Sequence, residues 1–208
     1  ANMALQVFLL LALAATATAA SPFSGPQHAG YVHPKNGTGL FYWLFPAVDV
    51  DPASATTPLV VWLQGGPGAS SLLGLLFENG PHRLQEGANA SSTPVNNPLA
   101  WNRRANLVFV DQPFGTGFSY ADDPADLVTS MPEMATYLRL ALVDLADKEP
   151  ALAGGGRALW LSGESYAGKY VPYLATAIMT HGAQPDALAA RLQRGGLAIG
   201  DGWVDPPV

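Results

Sequence analysis

Trp160-Leu161-Ser162-Gly163-Glu164-Ser165-Tyr166-Ala167-Gly168-Lys169-Tyr170 is the stretch whose reading decides the fold. Residues 158–161, at its start, are apolar and short enough for a buried strand. Behind it, Tyr170, Tyr173, Leu174, Ala177 and Ile178 recur at helical spacing. Strand, tight turn and helix together hold a serine on a strained bend with its hydroxyl pointing out. Gly163 and Ala167, two residues either side of Ser165, are small enough to let the backbone fold that sharply. The general pattern has glycine where Ala167 stands.

The chain around this bend alternates between strand and helix signals. Residues 30–32 and 40–45 read as strands, as do residues 59–63, 106–110 and 197–199. Residues 46–58 read as a loop, and residues 82–99 are polar with no strong pattern. Ser130 and Glu133 have capping-box spacing, and Met134, Tyr137, Leu138, Ala141 and Leu145 lie on one face of the helix that follows. Pro172 predicts a break or kink in the helix behind Ser165. Strands alternating with helices predict an α/β fold: a mostly parallel sheet with helices on both faces.

Composition narrows the function. The chain has 208 residues, a formal net charge of −6 and 12% charged residues, so it offers no basic patch for nucleic acid. Its 22 glycines and 18 prolines fall between apolar runs and mark turns rather than disorder. It has no cysteine, so no disulfide supports the core. Residues 7–15 are apolar and are followed by Thr16-Ala17-Thr18-Ala19-Ala20. This predicts a secretory leader over residues 1–20, cleaved after Ala19 or Ala20, with residues 21–208 as the N-terminal part of a single domain whose last strand, residues 197–199, has no helix after it. The run is too short to span a membrane, and no membrane anchor is expected. Asn36-Gly37-Thr38 and Asn89-Ala90-Ser91 have the form of glycosylation acceptors.

Ser165 is the candidate nucleophile, and it needs a base to take its proton. A tetrahedral intermediate needs amide donors aimed at its oxyanion. Tyr166, directly after the serine, supplies one. Gly66, in the glycine-rich turn Gln64-Gly65-Gly66-Pro67-Gly68, fits the other. A phosphate cradle is the competing reading of that turn, but it lacks the Gly-Lys-Ser/Thr ending. Asp111 ends a strand and reads either as a triad acid or as a carboxylate that orders its loop. The second is preferred, because in this fold acid and base follow the serine in the chain. Of the four histidines, His28, His33 and His82 precede Ser165. His181 lies roughly 20 Å further along, at about 1.5 Å per residue.

Four blocks resemble the signature sequences of the serine carboxypeptidases, in family order. They are Trp62-Leu63-Gln64-Gly65-Gly66-Pro67-Gly68-Ala69-Ser70-Ser71, Glu78-Asn79-Gly80-Pro81, Asp111-Gln112-Pro113-Phe114-Gly115-Thr116-Gly117-Phe118-Ser119-Tyr120 and Gly163-Glu164-Ser165-Tyr166-Ala167-Gly168-Lys169-Tyr170-Val171-Pro172. Gln64, the strand Phe41-Tyr42-Trp43-Leu44-Phe45-Pro46-Ala47 and the stretch Ala198-Ile199-Gly200-Asp201-Gly202-Trp203-Val204-Asp205-Pro206 look most like the vitellogenic-like branch. The resemblance implies an α/β-hydrolase fold and removal of C-terminal residues from peptides or proteins at acidic pH. It implies Ser165 as nucleophile and the Gly66 and Tyr166 amides as the oxyanion hole. It also implies that Gln64, the Gly65 amide, Glu78 and Glu164, with Trp62 in the same network, bind the substrate's free C-terminal carboxylate. No metal or cofactor is implied. Ala69 replaces a cysteine common in this block.

The family's triad aspartate and histidine lie beyond Val208 and are absent here. With the start at Ala1, this gives the expectation of an inactive fragment of an active enzyme. A natural truncation without peptidase activity is the alternative. Two further readings share these motifs: a carboxypeptidase-like acyltransferase, and a non-catalytic binding protein that keeps the fold. The expected location is the secretory pathway, ending outside the cell or in a lysosome or vacuole. Two adjacent carboxyls cannot both ionise cheaply, so one stays protonated and donates a hydrogen bond to the substrate carboxylate. Binding is therefore expected to weaken as pH rises.

Overall fold

A computed structural model describes residues 25–86, 92–182 and 186–205. The leader expected over residues 1–20 and the acceptor Asn89 lie outside the described residues.

The apolar runs form the strands predicted for them. β1 (His28–Val32), β2 (Thr38–Phe45) and β3 (Leu59–Leu63) precede a hairpin of β4 (His82–Glu86) and β5 (Ser92–Asn96). β6 (Asn106–Val110) and the short β7 (Tyr120–Ala121) follow. Helix α1 (Met131–Lys148) leads to β8 (Leu159–Glu164), α2 (Ala167–Met179), α3 (Ala187–Arg194) and β9 (Gly196–Gly200). The main sheet has the order β1-β2-β6-β3-β8-β9, with β7 beside β2. β6, β3, β8 and β9 are parallel, and β1 and β2 join antiparallel.

Side chains alternate across this sheet as the pleat requires. Leu59, Val61 and Leu63 point to the face carrying the large core cluster, with Met134, Leu138 and Leu145 of α1, Val171 and Leu174 of α2, and Leu188 of α3. Trp62, Leu107, Phe109 and Phe45 point to the opposite face, where Leu75 joins them. That second face is covered by a π-helical turn, Gly74–Glu78, and by a 3-10 turn at Trp101–Arg103 whose Trp101 ring meets Trp62 edge-on. Among the described residues no helix is long and apolar enough to cross a membrane.

Three local expectations are corrected. Residues 82–99 are not patternless, because they contain the β4–β5 hairpin. It pairs through its backbone, and its polar outer residues and Pro94 hid the strand signal. The predicted break at Pro172 does not occur, and α2 is one element across it. Burial of Tyr170, Val171, Leu174 and Ile178 on one side outweighs the lost hydrogen bond. Ser130 is the N-cap of α1, but its hydroxyl makes no capping bond. The Glu133 carboxylate instead accepts from the Thr129 amide at 3.3 Å.

At the carboxyl ends of the parallel strands, Asp111 ties two loops together. One of its oxygens accepts from Ser70 Oγ at 2.7 Å and the Ser71 amide at 2.8 Å, the other from the Phe118 amide at 3.0 Å. It is 1% exposed, and a Cβ on Gly117 would stand 2.0 Å from its Oδ2, so only glycine fits there. Asp111 therefore orders its loop and is not placed as a triad acid. Asp111→Asn, which turns an acceptor into a donor facing donors, is expected to cost about 1–3 kcal/mol in urea unfolding. An unchanged midpoint would contradict this role.

Candidate functional site

Ser165 follows β8 directly and has φ 59°, one of two non-glycine residues with positive φ among the described residues. The other is Asp201 (φ 45°), which follows the neighbouring strand β9. A left-handed serine is strained, and the surrounding backbone holds it there. Its amide donates to Gly200 O at 3.0 Å, and its carbonyl accepts from Trp203 N at 2.8 Å and Gly168 N at 2.9 Å. The residue itself is exposed, and its hydroxyl is free of hydrogen bonds to the described residues.

Two glycines set how close the neighbouring strands come. A Cβ on Gly163 would stand 2.2 Å from Leu63 O and 2.6 Å from the Ala167 Cβ. The methyl of Ala167 thus occupies the space that Gly163 leaves empty, and alanine is tolerated where the general pattern has glycine. A Cβ on Gly65 would stand 2.6 Å from Tyr166 N, 2.7 Å from Glu164 O and 2.9 Å from Ser165 Cβ. The Gly65-Gly66 turn therefore lies against the bend. Among the described residues, the amides of Gly65, Gly66 and Tyr166 donate to no acceptor. Three free N–H groups beside an exposed serine hydroxyl can stabilise negative charge that develops there. Tyr170 fixes the turn from α2, its hydroxyl oxygen accepting from the Gly68 amide at 3.2 Å.

Across from these amides the other predicted side chains form a chain of hydrogen bonds. Trp62 Nε1 donates to Gln64 Oε1 at 2.9 Å, and Gln64 Nε2 donates to Glu78 Oε1 at 3.4 Å. Glu78 in turn faces the Glu164 carboxyl. Gly74 lets the π-helical turn cross Trp62, since a Cβ there would come 2.2 Å from Nε1. Burial pushes the Glu78 carboxyl up to about 7, helped by the Glu164 carboxyl beside it and opposed by Gln64.

The hairpin that carried no sequence signal supports this cluster. Arg83 Nη2 and Asn97 Nδ2 donate to Glu78 O at 2.8 and 3.1 Å, and Asn97 Nδ2 also reaches Gly80 O at 2.8 Å. Sequence reasoning also missed an aromatic and cationic cluster beside Ser165. Lys169 Nζ lies 4.8 Å from the Trp203 ring centroid and 5.6 Å from that of Tyr166. The four-residue step from Ser165 to Lys169 on the start of α2 was the available signal. Two of the histidines are engaged elsewhere: His28 pairs with Glu149 at 3.0 Å, and His33 Nδ1 lies 2.8 Å from Thr38 O. Asn36 is exposed in the turn before β2.

A mixed sheet whose strand end throws a left-handed serine against a glycine turn defines the α/β-hydrolase class. Comparison with known proteins narrows it. A family model described as serine carboxypeptidase matches residues 18–208, and the chain belongs to that family. "Serine carboxypeptidase-like 50" of Arabidopsis thaliana is 39% identical over 87% of this chain and 39% of its own length. "Probable serine carboxypeptidase CPVL" of Mus musculus is 38% identical over 89% of this chain and 37% of its own. The crystal structure of the prohormone-processing carboxypeptidase Kex1(Δ)p from Saccharomyces cerevisiae superposes with a TM-score of 0.71 at 31% identity, over 86% of this chain and 39% of that one. The chain thus spans less than half the length of these relatives.

Protonation of Glu78 couples to folding with a definite sign. Its folded-state value near 7 lies above the ordinary 4.5, so the folded chain holds the proton more tightly. The stabilisation is complete below pH ~4.5 and is lost as pH rises through about 7. Glu78→Gln should flatten the fall in urea midpoint across that window. A fall of the same size in both proteins would contradict the shift.

Proposed function

We propose that the whole protein is a serine-type carboxypeptidase, releasing the last residue of peptides or proteins through an acyl-enzyme. The observation that carries this is the left-handed Ser165 with three free amides on one side and a paired, partly buried carboxyl cluster on the other. The first is what acyl transfer requires. The second is what separates recognition of a terminal carboxylate from attack on internal bonds.

Ser165 Oγ attacks the scissile carbonyl as its proton passes to a base, and the Gly66 and Tyr166 amides receive the oxyanion. The leaving residue sits between Ser165 and Glu78, with its carboxylate toward the Gly65 amide, Gln64 Nε2 and the Glu78–Glu164 pair. Trp62 holds the Gln64 amide oxygen and so turns its nitrogen toward Glu78. The tetrahedral intermediate then collapses: the scissile C–N bond breaks, the base returns its proton to the leaving amine, and water, deprotonated by the same base, later hydrolyses the acyl-enzyme and frees Ser165. No histidine of this chain is placed to take the proton, so the 208-residue chain alone is expected to be inactive. We also propose passage through the secretory pathway to the exterior, a lysosome or a vacuole. The apolar run at residues 7–15 and the exposed acceptor Asn36 support it.

A fluorophosphonate should label the whole protein at Ser165, and Ser165→Ala should abolish both labelling and release of C-terminal residues. Labelling that survives this substitution would refute the assignment. A protonated Glu78 donates to the substrate carboxylate, and an ionised one repels it. KM should therefore be flat below pH 6 and rise by up to about tenfold per unit above 7, with kcat changing less. A KM constant from pH 5 to 8 in the active protein would remove Glu78 from the site.

A further inference from the structure

In a planar trans peptide the C=O and the N–H point in opposite directions, so whatever fixes one aims the other. The Tyr166 N–H and the Ser165 carbonyl belong to one peptide. That carbonyl accepts two hydrogen bonds, from Gly168 N at 2.9 Å and from Trp203 N at 2.8 Å. The first is local to the opening turn of α2. The second comes from the loop after β9. Two accepted bonds polarise a peptide and make its own N–H a stronger donor. The loop reaches the carbonyl only because position 168 has no side chain. A Cβ there would stand 2.7 Å from Trp203 N and 3.0 Å from Gly202 Cα.

The side chains hold this loop from outside. The Trp203 ring lies 5.3 Å from the Tyr166 ring, tilted by 41°. Lys169 Nζ stands over both, 4.8 Å from the Trp203 centroid and 5.6 Å from that of Tyr166. No carboxylate among the described residues pairs with this ammonium, so the two ring faces are what hold it. Trp203 is 47% exposed, so burial alone does not seat its ring. We propose that Trp203 and Lys169 are positioning residues for the oxyanion site. The Trp203 amide aims and strengthens the Tyr166 N–H, and the Lys169 ammonium clamps the Trp203 ring against Tyr166 so that the amide stays in place. This rests on the reading of Ser165 as the acylated residue and of the Tyr166 N–H as an oxyanion donor. The clamp is built from α2 and the loop after β9, whereas Gln64 and Glu78 are held by Trp62 and the β4–β5 hairpin. It should therefore act on kcat and leave KM nearly unchanged.

The test measures kcat of the whole protein per Ser165 titrated to completion with a fluorophosphonate, so that an unfolded fraction drops out. Gly168→Ala sets a methyl against the Trp203 amide, while alanine suits the helix itself better than glycine. It should lower kcat by about tenfold or more, part of the roughly 10²–10³ lost with an oxyanion donor. Lys169→Met keeps an apolar stem and removes the charge, and should lower kcat by about threefold or more. Lys169→Arg, whose guanidinium also stacks on aromatic faces, should stay within about twofold of wild type. KM should change by less than about twofold in all three. A peptide boronate, whose oxygen takes the place of the oxyanion, should bind more weakly by the factor lost in kcat. Unchanged kcat and boronate affinity in Gly168→Ala or Lys169→Met, a loss in Lys169→Arg equal to that in Lys169→Met, or a loss carried by KM each overturns the clamp. Absence of labelling at Ser165 in the wild type would instead refute the underlying assignment of the nucleophile.

Discussion

The site depends on the close approach of two backbones. Where β3 and β8 end side by side, Leu63 pairs with Gly163, and two residues further on Gly65 lies against Ser165. Any side chain at position 163 would meet Leu63 O, and any at 65 would meet the Tyr166 amide. The missing Cβ atoms bring a glycine turn with free N–H groups against an exposed hydroxyl. The cost is strain at Ser165, held by hydrogen bonds from Gly168 and Trp203 to its carbonyl and from its amide to Gly200.

The surrounding structure fixes that contact from several directions. Asp111 secures the turn after β3 to the loop after β6. Tyr170 reaches from α2 to the Gly68 amide. The π-helical turn delivers Glu78 over Trp62, and the β4–β5 hairpin grips its carbonyl. A carboxyl at this place is buried enough, and near enough to Glu164, to keep its proton near neutral pH. One arrangement thus orders the loops and sets the protonation of the residue opposite the nucleophile.

Much of this was legible in the chain because the signals are local. Residues 59–63 and 106–110 are apolar runs of strand length, and Gly163, Ser165 and Ala167 are spaced for a tight bend. The burial of Ser71, Gln64 and Asn97, which decides how Glu78 is held, involves partners far apart in sequence and leaves no periodic trace. Glu78 carries no periodic signal of its own, and only the family-like block around it suggested a binding role. The hairpin was missed because its strands pair through backbone and show polar side chains outward. Pro172 misled because a local penalty was weighed without the packing of α2 that offsets it. Lys169 and Trp203 meet only once β9 is laid beside β8.

The most direct test is a crystal structure of the whole protein after reaction with a fluorophosphonate. The account predicts a phosphorus bonded to Ser165 Oγ, with its oxygen about 2.7–3.1 Å from the amide nitrogens of both Gly66 and Tyr166. An adduct on another residue, or one at Ser165 whose oxygen turns away from those two amides, would contradict it.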